Sequence, residues 1–434
     1  MRTNIVHSGA GELTYEIRNI VTVGEKLQKL GIQTFWENIG DPIAKGERIP
    51  QWMKDIVVSL AQQDATYGYS PTRGILATRE FIAQRTNQRG GAQITPEDII
   101  FFNGLGDAIS KIYGFLRPTA RVVMPTPSYT THSSAEAAHA GDRPVTYMLD
   151  PHNHWYPDLD DLEKRIKYNP AVAGILIINP DNPTGAVYTE SILGGIIRLA
   201  KKYDLFVVCD EVYLNIVYNG CQTLPISDLI SKVPAIAMRG LSKEMPWPGG
   251  RCGWIEVYNG HRQPMFEKYV QSILNAKMLE VCSTSLPQAV LPQLMQHPRY
   301  GEYLQERIDR YERYSNIAYD CLKDVDGILV NRTNGAFYMS VVFVEGRINN
   351  TQTMPITNPE VKKQVELLVN ASGVSLDKRF VYYLLGSTGI CTVPLSSFAT
   401  ELQGIRITLL ERDETRFRQI FQTLAGSIRQ YLDS

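Results

Sequence analysis

Short apolar runs alternate with helical patterns between about residues 95 and 260. The runs are DIIFF (98–102), ARVVM (120–124), PVTYML (144–149), AGILII (173–178), LFVVCD (205–210), AIAM (235–238) and GWIEVY (253–258). Continuous apolar runs separated by helices are typical of strands that are buried on both faces of a mostly parallel sheet. The pattern therefore predicts an α/β fold with a mostly parallel seven-stranded sheet between layers of helices.

The remaining sequence predicts a second, smaller domain. After about residue 300 long helical patterns dominate, with one strand predicted over GAFYMSVVF (335–343). Because 434 residues are too many for one compact core, two domains are expected. We predict an N-terminal arm and part of a small α+β domain at 1–45, a large domain at 46–310, and the rest of the small domain at 311–434. The segment ENIGDP (37–42) is expected to cross between them.

Composition and charge narrow the classes of function. The chain has 44 Lys and Arg residues against 45 Asp and Glu residues, so no charge excess points to nucleic acid. No segment reaches the roughly 20 apolar residues that span a bilayer, and the N-terminus has no apolar stretch of signal-peptide type. The six cysteines lack the spacing of metal ligands, which predicts reduced thiols and no metal site. We expect a cytoplasmic protein that binds neither nucleic acid nor membrane.

Four segments that could carry chemistry lie in or just after predicted strands. They are FFNGLGDAI (101–109), NPDNPTG (179–185), CDEVY (209–213) and GLSKEMPWPGGRCGW (240–254). In open α/β sheets, ligands bind outside the carboxyl ends of the strands. The four segments are therefore candidates for one shared site.

Each segment also has an ordinary structural explanation. The backbone of Gly104, Leu105 and Gly106 could bind a phosphate, or could simply connect a strand to a helix. The turn around Asn182 could present an amide to a ligand, or could be only a tight turn. Asp210 could face a cation or cap a helix.

Lys243 is the strongest single candidate for covalent chemistry. A desolvated lysine is a capable amine nucleophile, although a lone lysine in a sequence is usually a surface residue. Lys243 follows a predicted buried strand, and Arg251 follows it in a loop rich in Gly and Pro.

Jointly the segments resemble class I/II aminotransferases of the type-I pyridoxal-phosphate fold. The resemblance runs from about Gly40 to Arg406 and is most specific in NPDNPTG, in DEVY, and in SK followed by GGRCGW. It implies that the large domain binds pyridoxal phosphate, held as a Schiff base by Lys243. It also implies that Asp210 pairs with the pyridinium nitrogen, which keeps the ring an effective electron sink.

The same resemblance implies further cofactor contacts. Asn182 and Tyr213 match the residues that hydrogen-bond the phenolic oxygen, and Tyr129 matches the aromatic residue stacked on the ring. Arg251 matches the arginine that meets the phosphate. Ser242 is expected to assist the backbone amides at the phosphate.

This chain departs from the family at the phosphate site. Glycines (Gly106 and Gly240) stand where many members have hydroxyl residues.

Substrate and subunit contacts are implied as well. Arg406 resembles the arginine that clamps the substrate α-carboxylate, with Gly40 and Asn182 beside it. Tyr69 resembles the tyrosine that reaches the phosphate of a neighbouring subunit, which implies a homodimer. Only Lys277 stands in the region where some aspartate-specific relatives supply a second arginine, so a preference for dicarboxylates is not expected.

The resemblance implies an aminotransferase that moves the amino group of an L-amino acid to a 2-oxo acid with ping-pong kinetics. A C–S or other β-lyase on the same fold is the open alternative. A cofactor-sensing transcription regulator is disfavoured because the residues before ENIGDP show no basic helix–turn–helix pattern. A dehydrogenase is disfavoured because NGLGDA lacks the full dinucleotide fingerprint.

Overall fold

The computed structural model describes residues 5–13 and 16–434. The α-helices are α1 (Glu16–Lys29), α2 (Gln51–Ala61), α3 (Leu76–Asn87), α4 (Leu105–Gly114), α5 (Thr130–Ala140), α6 (Leu159–Lys167), α7 (Glu190–Lys202), α8 (Ile226–Leu229), α9 (Pro264–Leu279), α10 (Ser285–Gln296), α11 (Tyr300–Leu322), α12 (Pro359–Val369), α13 (Leu376–Thr388) and α14 (Glu414–Leu432). The strands are β1 (Phe35–Trp36), β2 (Ile99–Phe102), β3 (Arg121–Thr126), β4 (Thr146–Asp150), β5 (Tyr156–Pro157), β6 (Val172–Ile178), β7 (Phe206–Asp210), β8 (Ala235–Gly240), β9 (Gly253–Tyr258), β10 (Ile328–Val330), β11 (Tyr338–Phe343), β12 (Ile390–Cys391), β13 (Val393–Pro394) and β14 (Gly404–Thr408).

The large sheet has the order β2-β9-β8-β7-β6-β3-β4-β5. Strands β4, β3, β6, β7 and β8 pair in parallel, whereas β9 runs antiparallel to both β8 and β2. All seven predicted runs form strands of this sheet, which confirms the predicted α/β fold. The structure adds an eighth strand, β5, which pairs antiparallel with β4 and is too short to leave a pattern in the sequence.

The apolar runs form strands here because both faces of the sheet are covered. In β2, Ile99 and Phe101 join one hydrophobic core, while Ile100 and Phe102 join another. All four side chains are fully buried. Side chains alternate between the faces of a strand, so a continuous apolar run is what a sheet between two helical layers requires.

The smaller sheet is antiparallel and has the order β10-β11-β14-β13. Its register pairs Ser340 of β11 with Arg406 of β14. Helices α11 and α14 pack against each other beside this sheet. The strand predicted at 335–343 forms over Tyr338–Phe343, and the smaller α+β unit is thereby confirmed.

We propose that the domains divide at 1–45, 46–310 and 311–434, as the sequence predicts. Ile20 and Leu27 of α1 share a hydrophobic core with Phe421 of α14, which supports a small domain built from both chain ends. The boundary at 310 falls within α11, so this helix would join the two domains. No helix in the described parts of the chain has both the length and the apolar character needed to cross a membrane.

Candidate active site

The carboxyl ends of three adjacent strands bring the predicted residues together. Ile178 of β6 pairs with Asp210 of β7, and Asp210 pairs with Met238 of β8. The chain continues from these ends into the turns that carry Asn182, Tyr213 and Lys243. We call Asn182, Asp210, Tyr213 and Lys243 the strand-end cluster. The parallel register alone places these segments at one edge of the sheet.

Lys243 presents its amine to an aromatic environment. Its Nζ lies 5.8 Å from the ring centroid of Tyr213 and 5.6 Å from that of Phe337. The amine donates a hydrogen bond to the main-chain carbonyl of Gly40 at 2.8 Å. The buried Arg307 donates a hydrogen bond to the main-chain carbonyl of Lys243 at 2.9 Å and so holds the loop in place. The amine is therefore held at a partly buried position with one acceptor and two ring faces around it.

Asp210 is 3% exposed, and each of its carboxyl oxygens has a hydrogen-bond partner. Its Oδ1 accepts the Val212 amide at 3.1 Å, and its Oδ2 lies 3.1 Å from Nε2 of His132. The other ring nitrogen of His132 lies 3.1 Å from the hydroxyl of Tyr113. Burying a carboxyl group is costly unless such partners meet it, so this chain of contacts stabilises and orients the carboxyl group of Asp210 at the strand end.

His132 is a site residue that our sequence reasoning missed. It also packs edge-on against Tyr129, with ring centroids 6.3 Å apart, and thereby connects Tyr129 to Asp210. Tyr129 and His132 stand three positions apart at the start of α5, which places both on one helix face. That spacing is the signal that could have identified His132.

The turn that carries Asn182 is built by its neighbour Asp181. Asp181 Oδ2 accepts the backbone amide of Thr184 at 3.1 Å and its hydroxyl at 2.5 Å. Burial raises the pKa of Asp181 to about 7. Asn182 is buried, and its amide oxygen has no hydrogen-bond partner among the described residues. The turn thus presents an unsatisfied amide at the strand end.

The glycine segment and Arg251 meet at the N-terminus of α4. Gly104 precedes this helix with φ +83°, and a Cβ there would lie only 2.4 Å from a guanidinium nitrogen of Arg251. Leu105 packs against Gly253, and Gly106 lies in the first turn of the helix. Free backbone N–H groups and a cation at a helix N-terminus suit an anionic phosphate. Ser242 is half-buried in the loop after β8.

Arg406 lies on the small sheet and is 1% exposed, so its side chain is buried and does not face solvent. Its guanidinium carbon lies 4.6 Å from the ring centroid of Tyr338, and one of its nitrogens donates to the main-chain carbonyl of Asn38. Its Nε has no hydrogen-bond partner in the part of the chain that the structure describes. We call Tyr338 and Arg406 the small-sheet cluster. Sequence reasoning missed Tyr338.

The two clusters touch through their tyrosines. The hydroxyl of Tyr338 lies 3.0 Å from that of Tyr213, and Gly40 packs directly against the same hydroxyl. The structure therefore brings Lys243, Tyr213, Gly40 and Arg406 into one site.

Tyr69 is not brought to Lys243 within its own chain. Its side chain is 85% exposed, beside Asn103 and Thr284 at a surface depression. Lys277 is fully buried and forms ion pairs with Asp107 at 3.3 Å and with Glu280 at 2.5 Å. Because both of these partners are carboxylates, Lys277 is committed to a structural network.

These features fit an aromatic, phosphorylated cofactor. The cradle at Gly104 and Arg251 suits a phosphate, and the oriented carboxylate of Asp210 suits a protonated ring nitrogen. The unsatisfied amide oxygen of Asn182 and Nε of Arg406 lie buried and ready for polar groups of a ligand. Burying such atoms without partners is unfavourable, which is consistent with a binding site.

The comparisons with known proteins identify the class of this fold and site. The family model "Aminotransferase class I and II" matches residues 38–420. The chain therefore belongs to the class I and II aminotransferase family, whose members generally depend on pyridoxal phosphate.

Individual relatives agree with this family. An uncharacterised aminotransferase of Methanocaldococcus jannaschii is 57% identical over 432 residues, which cover 100% of both chains. The glutamate-pyruvate aminotransferase AlaA of Escherichia coli K12 is 30% identical over 77% of this chain and 80% of its own. The solved structure of an alanine aminotransferase from Pyrococcus furiosus has a TM-score of 0.82 and 25% identity, and covers 98% of this chain and 100% of that one.

The chain is accordingly an enzyme that transfers amino groups between an amino acid and a 2-oxo acid. The relatives support transamination rather than the β-lyase alternative.

Proposed function

We propose that this aminotransferase binds pyridoxal phosphate through Lys243 and exchanges amino groups between an L-amino acid and a 2-oxo acid with ping-pong kinetics. One observation carries the proposal. The amine of Lys243 lies over the ring of Tyr213 at the edge of the sheet where the carboxyl group of Asp210 is held in a fixed orientation. An amine nucleophile and an anion for a ring nitrogen are the two groups that this chemistry requires.

Pyridoxal phosphate, when bound, supplies an aldehyde for the amine and a ring that withdraws electrons. Once the amino acid has replaced it at the aldehyde, the free Nζ of Lys243 would take the proton from the α-carbon of the amino acid and hold it for transfer. A positioned proton transfer of this kind contributes roughly 100- to 10,000-fold to the rate. The hydrogen bond from Arg307 to the main chain of Lys243 holds the loop from which the amine swings.

The other residues of the strand-end cluster hold the ring. Asp210, oriented by His132, pairs with the ring nitrogen and keeps it protonated. Asn182 and Tyr213 hydrogen-bond the phenolic oxygen, and Tyr129 stacks on the ring. The buried position of Asn182 and the packing of Tyr129 on His132 support these assignments, and the donor at Asn182 would be its amide nitrogen.

The phosphate is assigned to the N-terminus of α4. The backbone amides of Leu105 and Gly106 would donate to it, together with the hydroxyl of Ser242 and the guanidinium of Arg251. The amide of Gly104 donates instead to the carbonyl of Phe102 at 2.8 Å, so Gly104 would contribute through its lack of a side chain. The close approach of Arg251 to Gly104 supports this assignment.

The substrate carboxylate is assigned to Arg406, with Gly40 and Asn182 beside it. A planar guanidinium matches a carboxylate with two parallel hydrogen bonds. Nε of Arg406 is buried without a partner among the described side chains, so binding a carboxylate would satisfy it.

Alanine and pyruvate are proposed as one substrate pair. The support comes from relatives that are named glutamate-pyruvate aminotransferase and alanine aminotransferase, at 30% and 28% identity. The ion pairs of Lys277 further argue against a free cation for the side chain of aspartate. A panel of amino acids assayed with pyruvate and 2-oxoglutarate tests this choice, and a preference for aspartate over alanine would overturn it.

The assembly proposed is a homodimer in which Tyr69 reaches the phosphate of the neighbouring subunit. The exposed side chain of Tyr69 and the apolar side chains of Leu279 (89% exposed) and Val281 (48% exposed) support it.

A cytoplasmic location is proposed as well, since all six thiols are free.

Replacing Lys243 tests the proposed function. Lys243→Ala should abolish the visible absorbance of the bound cofactor and reduce turnover at least about 100-fold. Lys201→Ala, which changes an exposed lysine on α7, is the matched control and should behave as wild type. A Lys243→Ala protein that kept both the absorbance and full turnover would refute the proposal.

A further inference from the structure

Tyr338 lies between two sets of residues that the proposed function uses separately. It begins β11 and is 2% exposed, with its hydroxyl 3.0 Å from that of Tyr213. The face of its ring supports the guanidinium of Arg406, whose central carbon lies 4.6 Å from the ring centroid. One side chain thus contacts the residue assigned to the cofactor's phenolic oxygen and the residue assigned to the substrate carboxylate.

Gly40 packs closely against the same hydroxyl. A Cβ at Gly40 would lie 2.1 Å from the hydroxyl oxygen of Tyr338, so any side chain there would displace this hydroxyl. The carbonyl of Gly40 is also the acceptor for Nζ of Lys243 at 2.8 Å. The absence of a side chain at position 40 therefore lets the backbone pass between the lysine and the tyrosine pair.

The paired hydroxyls can share only one hydrogen bond, in which one donates and the other accepts. Burial raises the pKa of Tyr213 well above its usual range, so this hydroxyl keeps its proton at neutral pH. When Tyr213 directs its proton to a phenolic oxygen, Tyr338 must be the donor within the pair. The direction of the hydrogen bond between Tyr213 and Tyr338 therefore depends on the hydrogen bond that Tyr213 makes to the phenolic oxygen.

We propose that Tyr338 is a positioning residue that orients the Tyr213 hydroxyl with its own hydroxyl and holds the Arg406 guanidinium with its ring. This role rests on the proposed function, because Tyr338 would link a residue that holds the cofactor to the residue that binds the substrate carboxylate. The hydroxyl acts on the phenolic oxygen and the ring acts on the carboxylate. Different substitutions can therefore separate the two roles.

Tyr338→Phe in the holoenzyme tests the hydroxyl. The readout is the visible absorbance of the bound cofactor against pH, which follows the proton shared by the Lys243 nitrogen and the phenolic oxygen. A hydrogen-bond donor to the phenolic oxygen stabilises the form of the bound cofactor that has lost this proton. A weaker donor therefore raises the pH midpoint of the absorbance change. We expect an upward shift of about half to one pH unit. The KM for the amino acid should stay within about twofold, because the ring under Arg406 remains.

Tyr338→Leu tests the ring. It should show the same shift in midpoint and a KM for the amino acid raised about 2- to 30-fold, because the guanidinium loses the nearer of its two aromatic neighbours and keeps only Phe398, whose ring centroid lies 5.4 Å away. Circular dichroism and cofactor content show whether this variant is folded. The Tyr338→Phe result stands independently of it.

Two further variants control the interpretation. Tyr218→Phe removes another buried hydroxyl, which contacts Thr333 at 3.0 Å and not Tyr213, and it should leave the midpoint unchanged. In a Tyr213→Phe background, Tyr338→Phe should add no further shift, because the two residues act through one hydrogen bond.

A Tyr338→Phe profile that superimposes on wild type, or shifts that add independently of Tyr213, would overturn the role of Tyr338 and leave the proposed function intact. If the wild-type protein had no visible absorbance that depends on Lys243, the proposed function and this inference would fall together.

Discussion

The strand-end cluster and the small-sheet cluster reach the same site by different routes. Asp210 and Lys243 follow parallel strands of one sheet, so their positions in the chain already place them at one edge. Tyr338 and Arg406 lie on antiparallel strands whose relation depends on register, with Tyr338 opposite Thr408 and Arg406 opposite Ser340. A residue after a parallel strand can be placed from sequence, whereas a residue within an antiparallel strand needs its partner.

The difference has a functional counterpart. The strand-end cluster is proposed to carry out the chemistry on the cofactor, and the small-sheet cluster to hold the substrate carboxylate. Substitutions in the first should therefore act mainly on kcat, and substitutions in the second mainly on KM.

Asp210→Ala should have the largest effect of the variants considered next. Loss of the anion leaves the ring nitrogen without a partner, so kcat should fall about 100- to 10,000-fold and cofactor should be retained poorly. Steady-state kinetics and cofactor titration measure both effects. Near-normal transamination by Asp210→Ala would show that the strand-end cluster does not control the chemistry.

Arg406→Ala should have a smaller effect that appears mainly in KM. Losing charge-assisted hydrogen bonds worth about 1.5–3 kcal/mol should raise the KM for the amino acid about 10- to 150-fold. Arg416→Ala, which changes an arginine of α14 with a half-exposed side chain, is the control and should leave KM unchanged. If Arg406→Ala lowered kcat and left KM unchanged, the division between the clusters would be wrong.

Substituting Tyr69 tests whether a neighbouring subunit completes the phosphate site. Tyr69→Phe should weaken cofactor binding about 3- to 10-fold, the effect of losing one solvent-exposed hydrogen bond worth about 0.6–1.4 kcal/mol. Mixing inactive Lys243→Ala subunits with Tyr69→Phe subunits should produce hybrid dimers in which one site has both defects and the other has neither. If mixing produces no exchange-dependent gain in cofactor affinity, Tyr69 does not act across subunits.

Asp181 builds the turn that carries Asn182, so its effect is measured on stability. Burial raises its pKa from 3.8 to about 7, so the folded chain holds this proton more tightly than the unfolded chain. The free energy of unfolding should therefore fall as pH rises from about 4 to about 7, by at most about 1.4 kcal/mol per pH unit.

Asp181→Asn should remove this fall while keeping an amide at the turn. Urea unfolding of both proteins at several pH values measures the difference. Parallel profiles for wild type and Asp181→Asn would show that the Asp181 carboxyl is not protonated in the fold.

Much of the large domain followed from the sequence because local patterns determine it. All seven apolar runs became strands, and Asp210, Tyr213 and Lys243 lie where parallel strands end. The two-residue strand β5 could not be predicted because it has no alternation of its own.

The missed site residues depended on contacts between distant segments. His132 stands 78 positions from Asp210, and Tyr338 stands 125 positions from Tyr213. His132 left a weak local signal in its helical spacing from Tyr129, but Tyr338 left none, since strand register is not readable from one strand alone.

The central claim is that Lys243 is the amine that binds the cofactor. Borohydride reduction of the holoenzyme, followed by digestion and mass spectrometry, locates the lysine that carries the cofactor. A single adduct is expected, on the peptide that contains Lys243. An adduct on another lysine, or active protein with no adduct after reduction, would contradict it.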